Sequence, residues 1–130
     1  MIASINSRQL LDTWIHGINQ GETEKVLELY SADAVLLPTF SSRTIANEEG
    51  RRRYFERLAS RDELSVSLHE KTVRSQTVGS MDVISGIYCF RFAIDGEILS
   101  FEARFTFAMD LTQGSPIVHH HSSQVPRQLS

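Results

Sequence analysis

The sequence predicts an α+β domain in which three N-terminal helices pack on one face of a curved, mostly antiparallel sheet. Two observations support this prediction. In the N-terminal half, apolar side chains recur every three or four positions, which is typical of one helical face. From Leu64 onward they recur at every second position, as they do in strands. Helices followed by strands predict two separate layers, and Gly79 and Gly86 predict bends that curve the sheet.

The spacing predicts three helices. The first begins after a cap at Ser4 or Asn6 and ends at Gly21, where a left-handed residue is usually needed. The second covers about residues 22–31, and the third covers about residues 47–60 after a cap at Asn47. Their apolar faces comprise Leu10, Leu11, Trp14, Ile15 and Ile18, then Val26, Leu27, Leu29 and Tyr30, then Tyr54, Phe55 and Leu58.

The strand half begins with one short early strand and continues after the third helix. Residues 34–37 form an apolar run before Pro38, and Asp95-Gly96 is a hairpin signal between two long extended segments. The expected strands cover residues 34–37, 64–69, 78–94, 99–109 and 116–123.

Composition limits the class of protein. With 130 residues and 41% hydrophobic residues, the chain suits a single domain over residues 1–130, with a tail from about residue 124. A formal net charge of −3 argues against a nucleic-acid binder. One cysteine, Cys89, rules out an internal disulfide and favours a reducing compartment. No apolar run approaches a membrane span and Met1–Arg8 lacks a signal pattern, so we expect a cytoplasmic protein without membrane contact.

Several stretches follow a known family pattern, in particular ARFTF at 103–107 and HHHSS followed by Pro126. The others are residues 19–21, 26–39, 54–55 and 85–90. Together they resemble the nuclear-transport-factor-2-like superfamily with its cystatin-like fold. Within it they are similar to bacterial relatives of the calcium/calmodulin-dependent protein kinase II association domain and to the SnoaL-like group.

The resemblance implies a cone-shaped domain with a cavity at its open end, assembled as a dimer or a larger oligomer through its sheet. In the kinase this domain is an oligomerising hub, whereas other branches use the cavity as an active site. Trp14 and Leu37 match the positions where ketosteroid isomerases carry a tyrosine and an aspartate, so that activity is not expected here. Ser122 stands where the kinase family carries an arginine, and no phosphate-binding glycine loop is present.

Arg91 and Arg104 are the only arginine or lysine residues between Ser75 and Pro126, and both lie in strands predicted to be buried. A guanidinium stays charged, so a buried one needs acceptors. One interpretation is a cavity in which both bind a small carboxylate, and the resemblance supports it. The other is that they pair across the sheet with acidic residues such as Glu97, Glu102 or Asp110. Arg51, Arg52 and Arg53 are expected on a solvated helix face.

The histidine run 119–121 lies on the last expected strand, where His119 and His121 share one face and His120 the other. His119 and His121 are candidates for general acid/base catalysis or for lining a pocket. The alternative is a structural role in the sheet or at a subunit interface. Metal is not expected, because no ligand-spaced Cys, Asp or Glu lies beside the run. Trp14 and Tyr54 are mostly core residues whose polar tips are candidates for the cavity mouth.

The stripe of Phe101, Phe105 and Phe107 needs a cover. If the helices cover the Arg104 face of that strand, the stripe points outward and is expected to form the homodimer interface. The reverse arrangement, with the stripe inward and Arg104 outward, removes the basis for an arginine-lined cavity.

Two functions are compatible with these features. The first is an oligomerising, small-ligand-binding domain without a cofactor, whose cavity is lined by Arg91, Arg104, His119 and His121. The second is a SnoaL-like enzyme of the cyclase, isomerase or dehydratase type that uses a histidine on a hydrophobic carbonyl substrate. The missing carboxylate at Leu37 favours the first.

Overall fold

Helices and strands follow one another in the predicted α+β order. The computed structural model describes residues 5–126. Its helices are α1 (Ser7–Asn19), α2 (Thr23–Leu27) and α3 (Glu48–Ala59), and its strands are β1 (Tyr30–Leu37), β2 (Asp62–Leu68), β3 (Arg74–Val78), β4 (Met81–Ile94), β5 (Glu97–Asp110) and β6 (Ile117–Gln124), with a 3₁₀ turn at Glu70–Thr72. β6 ends at Gln124 and the Val125 amide still donates to the Glu102 carbonyl at 2.9 Å, while residues 127–130 of the expected tail lie outside the described residues.

The helix ends follow the capping residues in the sequence. Asn6 caps α1, because its Oδ1 accepts the amide of Gln9 at 2.8 Å while the Gln9 side chain accepts the Asn6 amide at 3.0 Å. Ser4, the other expected cap, lies outside the described residues. Gly21 has a φ of +67°, as its predicted role requires, and Asn47 caps α3.

The second helix is shorter than predicted, since α2 ends at Leu27 and β1 already begins at Tyr30. Tyr30 pairs with Ile117 on β6, and its side chain is buried in the core. The carbonyl of Leu29 accepts the Ile117 amide at 2.8 Å. Sheet pairing thus outweighs the helical spacing of residues 28–31.

The six strands form one sheet in the order β1-β6-β5-β4-β2, and β3 pairs with the other half of β4. Among the strand pairs of residues 5–126, only the β1–β6 pair is parallel. The extended stretch predicted over residues 78–94 breaks at Gly79 as expected, where φ is +61° and a turn pairs Val78 with Met81, but β4 continues through Gly86 without a break. The hairpin at Asp95-Gly96 is confirmed, with φ of +52° and +80°.

The inner face of the sheet packs against the helices. On β5, Phe105 and Phe107 point into this core and are almost fully buried, while Arg104 is exposed on the outer face. The sequence interpretation that put Arg104 under the helices is therefore wrong. Burial of two phenylalanine rings stabilises this arrangement by several kcal/mol, about 2 per ring, whereas a buried guanidinium would need acceptors.

Within residues 5–126, no helix is long and apolar enough to cross a membrane.

Candidate functional site

A chain of polar side chains runs through the core between the helices and β6. The indole N–H of Trp14 donates to the Tyr30 hydroxyl at 3.0 Å, and that hydroxyl lies 2.8 Å from Nδ1 of His120. On the other side of the ring, Nε2 of His120 lies 3.1 Å from the Tyr88 hydroxyl. Tyr88 donates onward to Ser122 at 2.6 Å. Ser122 in turn shares a hydrogen bond with Thr39, two residues after the end of β1. We call these residues the core polar chain.

The hydrogen bonds of the core polar chain determine which tautomer His120 adopts. Since the Tyr30 oxygen already accepts from Trp14, its own proton has one partner, Nδ1 of His120. The imidazole proton therefore resides on Nε2 and is donated to the Tyr88 oxygen, which leaves the Tyr88 proton for Ser122. Every donor finds an acceptor only in this direction, so the assignment follows from satisfaction of the network.

Burial sets the ionisation of the same groups. It lowers the pKa of His120 to about 3, with the neighbouring His119 and His121 adding to the effect. Burial also raises the pKa of Tyr30 and of Tyr88 well above the ordinary value. The core polar chain is thus neutral at physiological pH, and His120 acts there as a fixed hydrogen-bonding link.

Little space remains in the interior beside the core polar chain. The cavity bounded by Trp14, Tyr54, Tyr88 and His120 has a volume of about 10 Å³. A volume of this size is about enough for one water molecule. The rings fill the rest: Trp14 stacks on Tyr88 at 5.6 Å, and Phe107 stacks on His120 at 3.8 Å between ring centroids. As the structure stands, the interior has no room for an organic carboxylate.

The predicted ligand residues lie elsewhere. Arg91, Arg104 and His121 are exposed on the outer face of the sheet, and His119 shares that face but is half-buried. An arginine-lined interior cavity is therefore a wrong expectation for these four residues. The reason is that successive strand residues point to opposite faces of the sheet. Each of these four residues is adjacent in sequence to a residue that points into the core.

Trp14 and Tyr54 do lie where their polar tips meet other groups. Trp14 is 1% exposed, and its indole N–H belongs to the core polar chain. The Tyr54 hydroxyl accepts the Phe40 amide at 3.4 Å, and burial raises its pKa to about 12. Tyr54 stands between the small interior cavity and the outside of α3.

The phenylalanine stripe is not a free interface. Phe105 and Phe107 belong to the core, and Phe101 is half-buried between Phe40 and Phe92, with ring centroids 5.4 and 5.0 Å away. The expected dimer contact through Phe101, Phe105 and Phe107 is therefore wrong, since the chain's own helices and loop cover these rings.

The basic run on α3 contains a buried member that sequence reasoning placed in solvent. Arg51 is 1% exposed, and its guanidinium donates to the backbone carbonyls of Ala34, Ser31 and Ala32 at 2.8, 3.0 and 3.1 Å. Its Nε has no partner among the described residues. Arg51 thus ties α3 to β1. Arg53, two residues on, is exposed and pairs with Glu49.

Sequence reasoning also missed Tyr30, Tyr88 and His120 as a connected set. The period-two pattern did separate His120 from His119 and His121. The pattern did not show which face of β6 meets the helices, and it did not identify a hydrogen-bond partner for the His120 imidazole. A histidine flanked in register by buried aromatic positions on the neighbouring strand, here Phe107, is the signal that marks the inner face.

The fold is that of a known class of protein, the nuclear-transport-factor-2-like proteins with a cystatin-like fold. Such a protein from Novosphingobium aromaticivorans is similar with a TM-score of 0.77 at 12% identity, over 93% of this chain and 80% of that chain. The epoxide hydrolase/cyclase-like enzyme SalBIII, which is described as having a role in pyran ring formation in the polyether salinomycin, is similar with a TM-score of 0.74 at 10% identity. The match covers 91% of this chain and 89% of that chain. At such identities the likeness concerns the fold alone.

Within that class the chain belongs to the calcium/calmodulin dependent protein kinase II association domain family, whose sequence pattern matches residues 6–126. A Xanthomonas campestris protein described as such an association domain is 27% identical, with a TM-score of 0.81 over 98% of this chain and 94% of that chain. No curated protein shows significant sequence similarity to the chain. The resemblance found in the sequence is confirmed.

Proposed function

We propose that this chain is a self-association domain that pairs with a second copy through the outer face of its sheet. The observation that carries the proposal is the composition of that face. Val35, Leu37 and Ile87 point outward and are half-buried, and their partners in register are His119, His121 and Arg104. Apolar residues interleaved with polar ones on one face are typical of an interface. Membership of a family named for association supports the same function.

The charges of the outer face suit a two-fold arrangement. Glu102 and Arg104 lie two positions apart on β5, both exposed and on the same side. Among residues 5–126, Arg104 makes no ion pair, while Glu102 lies 3.9 Å from the His69 ring. In a two-fold dimer, a contact from Arg104 to Glu102 of the second copy is repeated in reverse, so one pair of residues supplies two ion pairs.

The positions of Arg91 and Arg104 on the outer face limit how these two predicted residues could bind an anion. Arg91 pairs in register with Ser100, and Arg104 with Ile87, so the two arginines are four positions apart along the paired strands. That separation is about 13 Å between backbones, so both could bind one small carboxylate only with their side chains extended toward each other. His121 lies two positions along β6 from Ser123, the register partner of Arg104, whereas Arg91 pairs with Ser100 beyond the end of β6. We propose that Arg91 and Arg104 meet separate acidic groups, as in a protein interface.

The enzyme alternative has less support. It requires His119 or His121 beside Arg104 in a closed apolar pocket, whereas all three belong to the open outer face. His120, inside, has both ring nitrogens occupied, and its pKa of about 3 does not suit acid/base work near neutral pH.

A charge exchange tests the interface. We expect Arg104→Glu and Glu102→Arg each to weaken self-association at least tenfold in sedimentation velocity, because like charges then face each other. The double variant restores the pairing and recovers most of the affinity. Arg53→Glu, on the exposed side of α3, is the matched control and leaves association unchanged. Unchanged association in both single variants would contradict the proposed face.

A further inference from the structure

A second feature lies on the helical side of the molecule, away from the sheet face. The segment from Phe40 to Asn47 runs beside α3 and encloses a groove with a volume of about 590 Å³. Pockets of this size accommodate small organic ligands. The groove shares no lining residue with the outer sheet face discussed above. We call it the α3 groove.

The α3 groove is strongly basic in a chain of negative net charge. Arg53 and Arg57 lie four residues apart on α3, Arg61 follows just after the helix ends, and Arg43 faces them from the loop. Arg53 and Arg57 thus lie on successive helical turns, about 6 Å apart along the helix axis, and Arg61 extends the basic lining beyond the helix end. Glu49 is the one acidic residue of the lining, and it is engaged by Arg53.

Three of these guanidinium groups have no acidic partner in the chain as described. Within residues 5–126, Arg43, Arg57 and Arg61 take part in no ion pair, although other arginines of the same helix do, such as Arg52 with Glu24 and Glu48. Arg61 instead lies over the Phe92 ring, 5.1 Å from its centroid. The cations are thus available for an external anion.

The floor of the groove offers apolar contacts and one further donor. Phe40, Tyr54 and Leu58 lie along it. The Tyr54 hydroxyl accepts from the Phe40 amide, and in the described part of the chain its own proton has no acceptor. Because burial raises its pKa to about 12, the hydroxyl stays protonated and able to donate.

We propose that the α3 groove binds a small organic anion that carries two negative charges, as a phosphate monoester does, on an aromatic or apolar body. Arg57 and Arg61 hold the charged group by paired guanidinium hydrogen bonds, with Arg43 closing from the loop side. The Tyr54 hydroxyl donates to the ligand, and its ring with Phe40 contacts the apolar body. The site is independent of self-association.

The test is a titration of the ¹⁵N-labelled full chain with 1-naphthyl phosphate, followed by amide chemical shifts. We expect saturable shifts confined to the groove, at Thr44, Gly50 and Leu58, and binding that weakens as salt is added. Neutral 1-naphthol binds at least tenfold more weakly. Arg57→Gln, an exposed change that leaves the fold intact, lowers the affinity for 1-naphthyl phosphate at least tenfold.

Arg74→Gln, at an exposed position on β3 outside the groove, serves as the matched control and leaves the affinity unchanged. The proposal is overturned if the shifts map outside the groove, if 1-naphthol binds as tightly as its phosphate, or if Arg57→Gln binds like the unaltered chain. Because the α3 groove and the outer sheet face share no residue, none of these outcomes bears on the proposed self-association.

Discussion

The Tyr30 hydroxyl lies 2.8 Å from Nδ1 of His120, which joins the first residue of β1 to the middle of β6. These two strands form the one parallel pair among the described strands. The contact also connects α1, because the Trp14 indole donates to the same hydroxyl. His120 therefore links the helical layer to the sheet through hydrogen bonds that are closed to water.

Replacement of His120 by leucine tests this link. The Tyr88 hydroxyl then loses the donor it had in Nε2, and the Tyr30 proton loses its acceptor. Buried groups left without partners cost about 1–3 kcal/mol each, so we expect a loss of about 2–4 kcal/mol in the free energy of unfolding. Urea denaturation measures it. His16→Leu, at an exposed site on α1, is the control and changes stability by less than about 0.5 kcal/mol. Equal stability of the two variants would show that the link contributes nothing.

The same histidine predicts a pH dependence. Its pKa is about 3 in the folded chain against an ordinary value of 6.5, so between these pH values the unfolded chain binds a proton that the folded chain does not. The free energy of unfolding therefore falls as the pH decreases from 6.5 toward 3, by about 1 kcal/mol per pH unit from this group, and the contribution is constant above 6.5.

The measurement compares urea unfolding of the unaltered chain and of His120→Leu at pH 7.5 and pH 5.5. Other titrating groups are common to both, so the stability difference between the two proteins isolates His120. We expect that difference to shrink at pH 5.5. A difference that stays constant across this range contradicts a buried, neutral imidazole.

Arg51 and Arg53 offer a comparison two residues apart on α3. Arg51→Met leaves the carbonyls of Ser31, Ala32 and Ala34 without the donors they have now, and we expect a loss of about 3 kcal/mol. Arg53→Met removes an exposed ion pair with Glu49, which is worth less than about 1 kcal/mol. Thermal and urea unfolding of both variants measure the two losses in stability. A larger loss in Arg53→Met than in Arg51→Met would contradict the structural role of Arg51.

The sequence was sufficient for the helices with clear caps and for the hairpin with a positive-φ pair. α3 begins and ends where Asn47 and the apolar spacing indicate, and Asp95-Gly96 turns as expected. The end of α2 was not predictable from local spacing, because pairing between Tyr30 and Ile117, residues distant in sequence, decides it. Tertiary contacts of this kind outweigh helix propensity.

The direction of the sheet faces was harder to predict. Period two separates Phe105 from Arg104 on β5, but the pattern itself does not say which face meets the helices. Burial of the Phe105 and Phe107 rings places the phenylalanine face of β5 against the helices. The resemblance to an arginine-lined hub had favoured the opposite face. Arg51 was missed because its acceptors are backbone carbonyls, which leave no mark in a sequence.

Self-association through the outer sheet face is the central claim, and molar mass in solution tests it most directly. Light scattering coupled to size exclusion, on the full chain over a hundredfold range of concentration, gives that mass. We expect twice the chain mass of 14.7 kDa, or a larger multiple, at the upper concentrations, with a shift toward the single-chain mass in Arg104→Glu. A mass of one chain at every concentration would contradict the claim.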